Sequence, residues 1–253
     1  MTQQRGDTLG LEDTLVEEDI HPVYVSEAAT DTGRVRTANQ DAFAQLGARG
    51  VWAVADGMGG YRDGDVASRM VCEVVLTLAN YATLEDTIDA LRDRMSDVNN
   101  RLYQAALRPV DPVVSGSTVV ALVTRRTSCV VLWAGDSRIY RLRDGSLSQL
   151  TTDHSRAAEL ETRGEPRDEE PDYAITRAVG GEDVLLLDAR RDRVRLKDRY
   201  LICSDGLTHE LADERIGALL AQGTAEECVK ALLAATLATE ARDNVTVVVV
   251  DVS

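Results

Sequence analysis

Apolar residues along this chain follow two rhythms. Short apolar runs bounded by Gly, Asp or Asn predict strands at Val23 to Glu27, Ala42 to Leu46, Val51 to Ala55, Ser117 to Val123 and Cys129 to Ala134. Further strands are expected at Arg138 to Leu142, Val184 to Leu187, Val194 to Leu196, Tyr200 to Cys203 and Val245 to Val252. Other stretches carry helical stripes. Val66, Met70, Val74 and Leu78 recur every fourth residue, and Leu84, Ile88, Leu91, Met95, Val98 and Leu102 alternate steps of four and three. Helices are also expected over 153–163, 215–222 and 225–240, with Thr83/Asp86 and Thr224/Glu227 as capping boxes.

Tight turns at Thr32-Gly33, Gly47 to Gly50, 124–127 and Asp144-Gly145 favour antiparallel pairing. The order is strands, two helices, a strand meander, then strands, two helices and a strand. Segregated blocks of this kind predict an α+β fold, a central antiparallel β-sandwich flanked by pairs of α-helices. Residues 1–20 are acidic and aperiodic and read as a disordered tail. No linker or repeat divides residues 21–253, which are expected to form a single domain.

Charge narrows the partners. Lys plus Arg number 28 against 43 Asp plus Glu, a net charge of −15, which argues against nucleic acid and anionic membranes. No apolar run approaches the roughly 18 residues of a membrane span. The N-terminus lacks signal-peptide character, and Cys72, Cys129, Cys203 and Cys228 sit singly among apolar residues. A cytoplasmic protein without membrane insertion is expected.

Four aspartates stand beside strong strands. Val51 to Ala55 runs into Asp56, followed at once by Gly57, Gly59 and Gly60, which are expected to turn the chain there; Asp136, Asp205 and Asp243 repeat the pattern. One Asp-Gly pair is most often a turn former. Four carboxylates converging at strand ends would repel one another unless a cation lay between them, and hard divalent ions such as Mg²⁺ or Mn²⁺ take oxygen ligands. His21, His154 and His209 have no zinc-site spacing. Gly57, lacking a side chain, could bring its carbonyl close to a metal. Arg36, five residues before Asp41, could hold a phosphate bidentately, although alone it reads as surface charge.

The segments Gly33-Arg-Val-Arg-Thr-Ala-Asn-Gln-Asp41, Val54-Ala-Asp-Gly-Met-Gly-Gly60, Gly116-Ser-Thr118, Gly135-Asp-Ser-Arg138, Leu150-Thr-Thr-Asp-His-Ser155, Ile175-Thr-Arg-Ala-Val-Gly-Gly181, Ser204-Asp-Gly206 and Asp243-Asn-Val-Thr246 resemble, in order, the motifs of the metal-dependent serine/threonine protein phosphatases of type 2C. Met58 after Asp-Gly is similar to the bacterial branch. The resemblance covers roughly residues 22–253. It implies hydrolysis of phosphoserine and phosphothreonine in phosphoproteins, opposing a eukaryotic-like Ser/Thr kinase, by a monomer holding two Mn²⁺ or Mg²⁺ ions and a third, weaker one.

On that resemblance Asp56 bridges two metals, and the Gly57 carbonyl ligates one of them. Asp205 and Asp243 complete the ligands of the first ion, Asp41 holds the second through water, and Asp136 joins Asp205 at a third. Arg36 binds phosphate, and Asn244 lends support. Met58 stands where eukaryotic relatives place a histidine proposed as general acid, and it has no proton to give; His154 reads as structural. The loop between Arg163 and Ile175 is short for the branch, which leaves substrate choice and the third ion open there. A catalytically dead phosphoprotein binder and a hydrolase of small phosphate esters are the alternative functions.

Overall fold

The computed structural model describes residues 21–59, 63–164 and 174–253; the expected tail over 1–20, Gly60 and most of the loop between Arg163 and Ile175 lie outside them. Two antiparallel sheets carry the strands. The first is ordered β1 (Tyr24–Asp31), β11 (Val245–Val252), β10 (Arg199–Cys203), β7 (Arg138–Arg143), β8 (Ser146–Gln149). The second is ordered β2 (Asp41–Leu46), β3 (Val51–Gly59), β5 (Val119–Arg125), β6 (Ser128–Ala134), β9 (Asp188–Arg193), with β4 (Ser115–Ser117) pairing the end of β3. Helices α1 (Gly64–Leu76) and α2 (Leu84–Ala106) cover the second sheet. Helix α3 (Arg156–Arg163) follows the β8 segment, α4 (Asp205–Thr208) follows β10, and α5 (Asp213–Leu220) and α6 (Ala225–Leu237) cover the first sheet.

This layering explains the uninterrupted apolar runs. Along β3, Val51, Ala53 and Ala55 face the helices while Trp52 and Val54 face the opposite sheet. Along β11, Val245, Val247 and Val249 face α5 and α6, whereas Val248, Val250 and Val252 fill the space between sheets. A strand covered on both faces has no polar side to alternate with. The four cysteines are buried and unpaired, and burial pushes the Cys72 thiol up to about 12.

Several expectations shift. No strand forms at Val184 to Leu187 or Val194 to Leu196; the strand lies between them, at the charged Asp188–Arg193, and pairs only with β6. Sequence patterning favours apolar runs, yet Val184, Leu186 and Leu196 are exposed. A short charged edge strand is a common way to discourage further pairing. The 117–123 strand breaks at Thr118 into β4 and β5. The α1 stripe centres on Ala67, Val71, Val74 and Val75, leaving Val66 exposed. Thr224 and Glu227 form the full capping box, but Thr83 makes only its own half, accepting from Asp86 N–H.

The largest revision concerns Asp56. The chain does not turn after it: β3 continues through Gly57 and Met58 to Gly59, pairing Gly57 with Ser117 and Met58 with Gly116. Gly57 is instead required by crowding, because a Cβ there would lie 2.0 Å from Gly64 O and 2.7 Å from Gln40 O.

Candidate active site

All the carboxylates singled out by sequence gather at one end of the sandwich. Asp41 opens β2 and faces Asp56 directly across the β2–β3 ladder. Asp136 lies just beyond β6 and Asp205 just beyond β10, while Asp243 lies just before β11. These ends coincide because both sheets terminate there. The link is explicit: Ser204 Oγ and Thr246 Oγ1, from the first sheet, each donate to Asp41 Oδ2 of the second at 2.7 Å.

The turn carrying Asp136 is built by Gly135, whose φ of 116° and contact with Thr118, 2.6 Å from a would-be Cβ, exclude a side chain. Thr118 Oγ1 in turn accepts from the Asp56 N–H at 2.9 Å. Asn244 fixes the segment leading to Asp41. Its Oδ1 accepts from Gln40 N–H, and its Nδ2 donates to Thr32 O and Ala38 O. Arg36 rides on that segment. Its guanidinium grips Asp243 with Nε at 2.9 Å and Nη2 at 2.6 Å, and the ion pair raises its pKa.

The electrostatics are those of crowded anions out of water. Burial pushes Asp41 up to about 6 and Asp136 to about 7, with the Asp205 charge adding to both. Burial first, then the charges of Asp41, Asp205 and Asp136, raises Asp56 well above the ordinary carboxylate range, and Asp205 is raised by burial as well.

Asp41 Oδ1, Asp136 Oδ1 and Asp205 Oδ1 are buried without a protein partner. Orphaned anionic oxygens cost free energy unless something outside the chain meets them. An all-oxygen donor set suits a hard divalent cation, and the residues present therefore fit the metals that the motifs imply. Among the described residues no three acidic, histidine or cysteine side chains close on one point as a finished cage. Asp243 is turned onto Arg36, which takes both of its oxygens.

A cavity of about 220 Å³ adjoins the cluster, bordered by Asp136, Arg138, Asp153, Asp205, Thr208 and His209. His154 lies behind it rather than in it. Its Nδ1 accepts from Gly135 N–H at 3.1 Å, its Nε2 lies 3.2 Å from Asp188 Oδ2, and its ring stacks on Trp133. Burial lowers its pKa, so the ring is neutral with its proton on Nε2, facing Asp188 and not the cluster. Ser204, Thr246, Thr118 and Asn39 are the contributors that sequence reading passed over. Their signal was present, since Ser204 and Thr246 sit inside the Ser204-Asp-Gly206 and Asp243-Asn-Val-Thr246 motifs.

Comparison with known proteins agrees with this geometry. The profile of the family described as Protein phosphatase 2C matches residues 32–245. The serine/threonine phosphatase Stp of Listeria welshimeri is 31% identical over 239 residues, covering 89% of this chain and 95% of its own. The serine/threonine protein phosphatase PstP of Mycobacterium tuberculosis is 35% identical over 230 residues, covering 89% of this chain but 44% of its own. Among solved structures, PppA, described as a regulatory component of the Pseudomonas aeruginosa T6SS, superposes with a TM-score of 0.85 at 35% identity, over 92% of this chain and all of PppA. The catalytic domain of PstP in complex with two manganese ions gives 0.82 at 32% identity, over 92% and 99%.

The chain belongs to the protein phosphatase 2C family, the metal-dependent serine/threonine protein phosphatases, in its bacterial branch. It is a phosphoprotein phosphatase.

Proposed function

We propose that this end of the sandwich hydrolyses phosphoserine and phosphothreonine in proteins, opposing a Ser/Thr kinase, in a monomeric cytoplasmic enzyme. The observation carrying the reading is the set of buried, unpartnered oxygens on Asp41, Asp136 and Asp205. Asp56 and the Gly57 carbonyl, with Asp205 and Asp243, would hold one Mn²⁺ or Mg²⁺. Asp41 and Asp56 would hold a second, and Asp136 with Asp205 a weaker third. Bound there, such ions lower the pKa of a water and stabilise charge developing in an in-line displacement at phosphorus.

The chain's own residues do the rest. Arg36, an exposed guanidinium, is placed to take two phosphate oxygens in the fork geometry it now offers Asp243. The cavity beside Asp136 receives the phosphorylated segment. Met58 has no proton to give the leaving oxygen, and the His154 proton is committed to Asp188, so the donor is metal-bound water or another group. The test is to compare turnover of a phosphothreonine peptide and a sugar phosphate with Mn²⁺ supplied. The peptide is expected to be preferred by a wide margin; preference for the sugar phosphate would overturn the protein-substrate reading.

A further inference from the structure

Asp41 is the first residue of β2, a strand at the margin of its sheet, and its carboxylate is buried beside other carboxylates that offer it no hydrogen-bond donor. What fixes it comes from the opposite sheet. Ser204 and Thr246, both buried with 0% exposure, place their hydroxyls 2.7 Å from the same oxygen, Oδ2. An ionised carboxylate only accepts, so both hydroxyls donate to it.

That assignment settles the rest of the chain of bonds. Thr246 Oγ1, having spent its proton on Asp41, must accept from Thr30 Oγ1 at 2.7 Å. Thr30 Oγ1 in turn accepts from Asn39 Nδ2 at 2.8 Å, and Asn39 Oδ1 accepts from the Asp41 N–H at 3.1 Å, closing the loop. Ser204 Oγ is oriented by the Thr246 N–H, which donates to it at 3.0 Å. Every polar atom of the relay is thereby used except Asp41 Oδ1, which is buried and unpartnered.

We propose that Ser204 and Thr246 are positioning residues for metal binding: by occupying Asp41 Oδ2 from across the sandwich, they leave Oδ1 as the one oxygen presented to an ion. The placement is economical, because each lies in a segment that also supplies a carboxylate. Ser204 precedes Asp205, and Thr246 follows Asp243 by three residues. The two hydroxyls therefore also set the separation between Asp41 and the carboxylates of the first sheet. The proposal rests on the metal-binding reading above.

The test is Mn²⁺ binding to the intact protein, measured by calorimetry and by loss of the free-ion electron paramagnetic resonance signal, without reference to turnover. Thr246→Val, nearly isosteric, is expected to weaken Mn²⁺ binding about 10- to 100-fold, the usual cost of losing an outer-shell partner. Ser204→Ala is expected to do the same, which keeps the test open should Thr246→Val fail to fold. Thr246→Ser, which restores the hydroxyl, should return affinity to within about threefold of wild type. Thr30→Val removes a hydroxyl from the same relay but leaves Thr246 donating to Asp41, and should leave affinity within about threefold of wild type. Unchanged affinity in Thr246→Val and Ser204→Ala, or an equal loss in Thr30→Val, would overturn the proposal. Wild-type protein that bound no Mn²⁺ would overturn the metal reading itself, a different and distinguishable failure.

Discussion

Arg36 and Asp243 are joined by two hydrogen bonds, Nε to Oδ1 at 2.9 Å and Nη2 to Oδ2 at 2.6 Å. One residue is proposed to hold phosphate and the other a metal, and here each satisfies its partner's charge. The guanidinium is 56% exposed, so the pair contributes about 0–1 kcal/mol to stability and is readily exchanged for other partners. Arg36→Ala should therefore fold normally and lose about 10- to 100-fold in kcat/KM on a phosphopeptide, the value of a charge-assisted bidentate contact. Steady-state kinetics beside a thermal melt checks both halves; a large loss of stability with intact kinetics would assign the pair a purely structural role.

Cation binding should stabilise the fold. Asp41, Asp56, Asp136 and Asp205 all have raised pKa values because buried anions lack compensation. Mn²⁺ at about 100 times its dissociation constant contributes about 2.7 kcal/mol per site. For a chain of this length each filled site raises the melting temperature by about 5–10 °C over an EDTA-treated sample. Calorimetry with and without Mn²⁺ reads the shift directly, and coincident melts would contradict it.

Gly57→Ala should be poorly tolerated for a reason unrelated to turning. The added methyl would meet two backbone carbonyl oxygens, Gly64 O at 2.0 Å and Gln40 O at 2.7 Å, and neither can swing aside as a side chain would. A loss of about 1–3 kcal/mol in urea unfolding is expected, together with loss of Mn²⁺ affinity. A variant as stable as wild type would refute the crowding argument.

His154 supplies a pH dependence. Its pKa is lowered from the ordinary 6.5 chiefly by burial, so folding favours the neutral ring. The stability this contributes is fully present above pH 6.5 and is lost as the pH falls toward the lower folded value, because the unfolded chain binds the proton first. His154→Gln can still accept from Gly135 and donate to Asp188 but cannot titrate. Urea unfolding of both proteins from pH 7.5 down to pH 5 should show the wild-type advantage shrinking as the solution becomes more acidic. An advantage that grew in acid would mean His154 folds as the charged form.

The sequence made the two ends of this account legible and left the middle obscure. The sandwich was readable because β3, β5 and β11 are apolar on both faces, which only an inner layer of a sheet–sheet–helix stack requires. The aspartates were readable because each stands beside such a strand. Asp188–Arg193 was not, since a solvent-facing edge strand of arginines carries no hydrophobic signal. The continuation of β3 through Gly57 was hidden because a glycine that relieves crowding looks the same as one that permits a turn. The hydroxyl grip on Asp41 depends on register between sheets, which no local pattern reports. Ser204 and Thr246 lay inside recognised motifs without their chemistry being visible.

Asp56, facing Asp41 across the β2–β3 ladder, is proposed to organise a metal centre that hydrolyses phosphoproteins. The most direct measurement is turnover of a phosphothreonine peptide by wild-type and Asp56→Ala proteins across a Mn²⁺ titration. Wild type should depend on Mn²⁺ and lose activity in EDTA, while Asp56→Ala, folded by circular dichroism, should fall by about 10³-fold or more at every Mn²⁺ concentration. Turnover that persisted in Asp56→Ala, or in EDTA-treated wild type, would contradict the account.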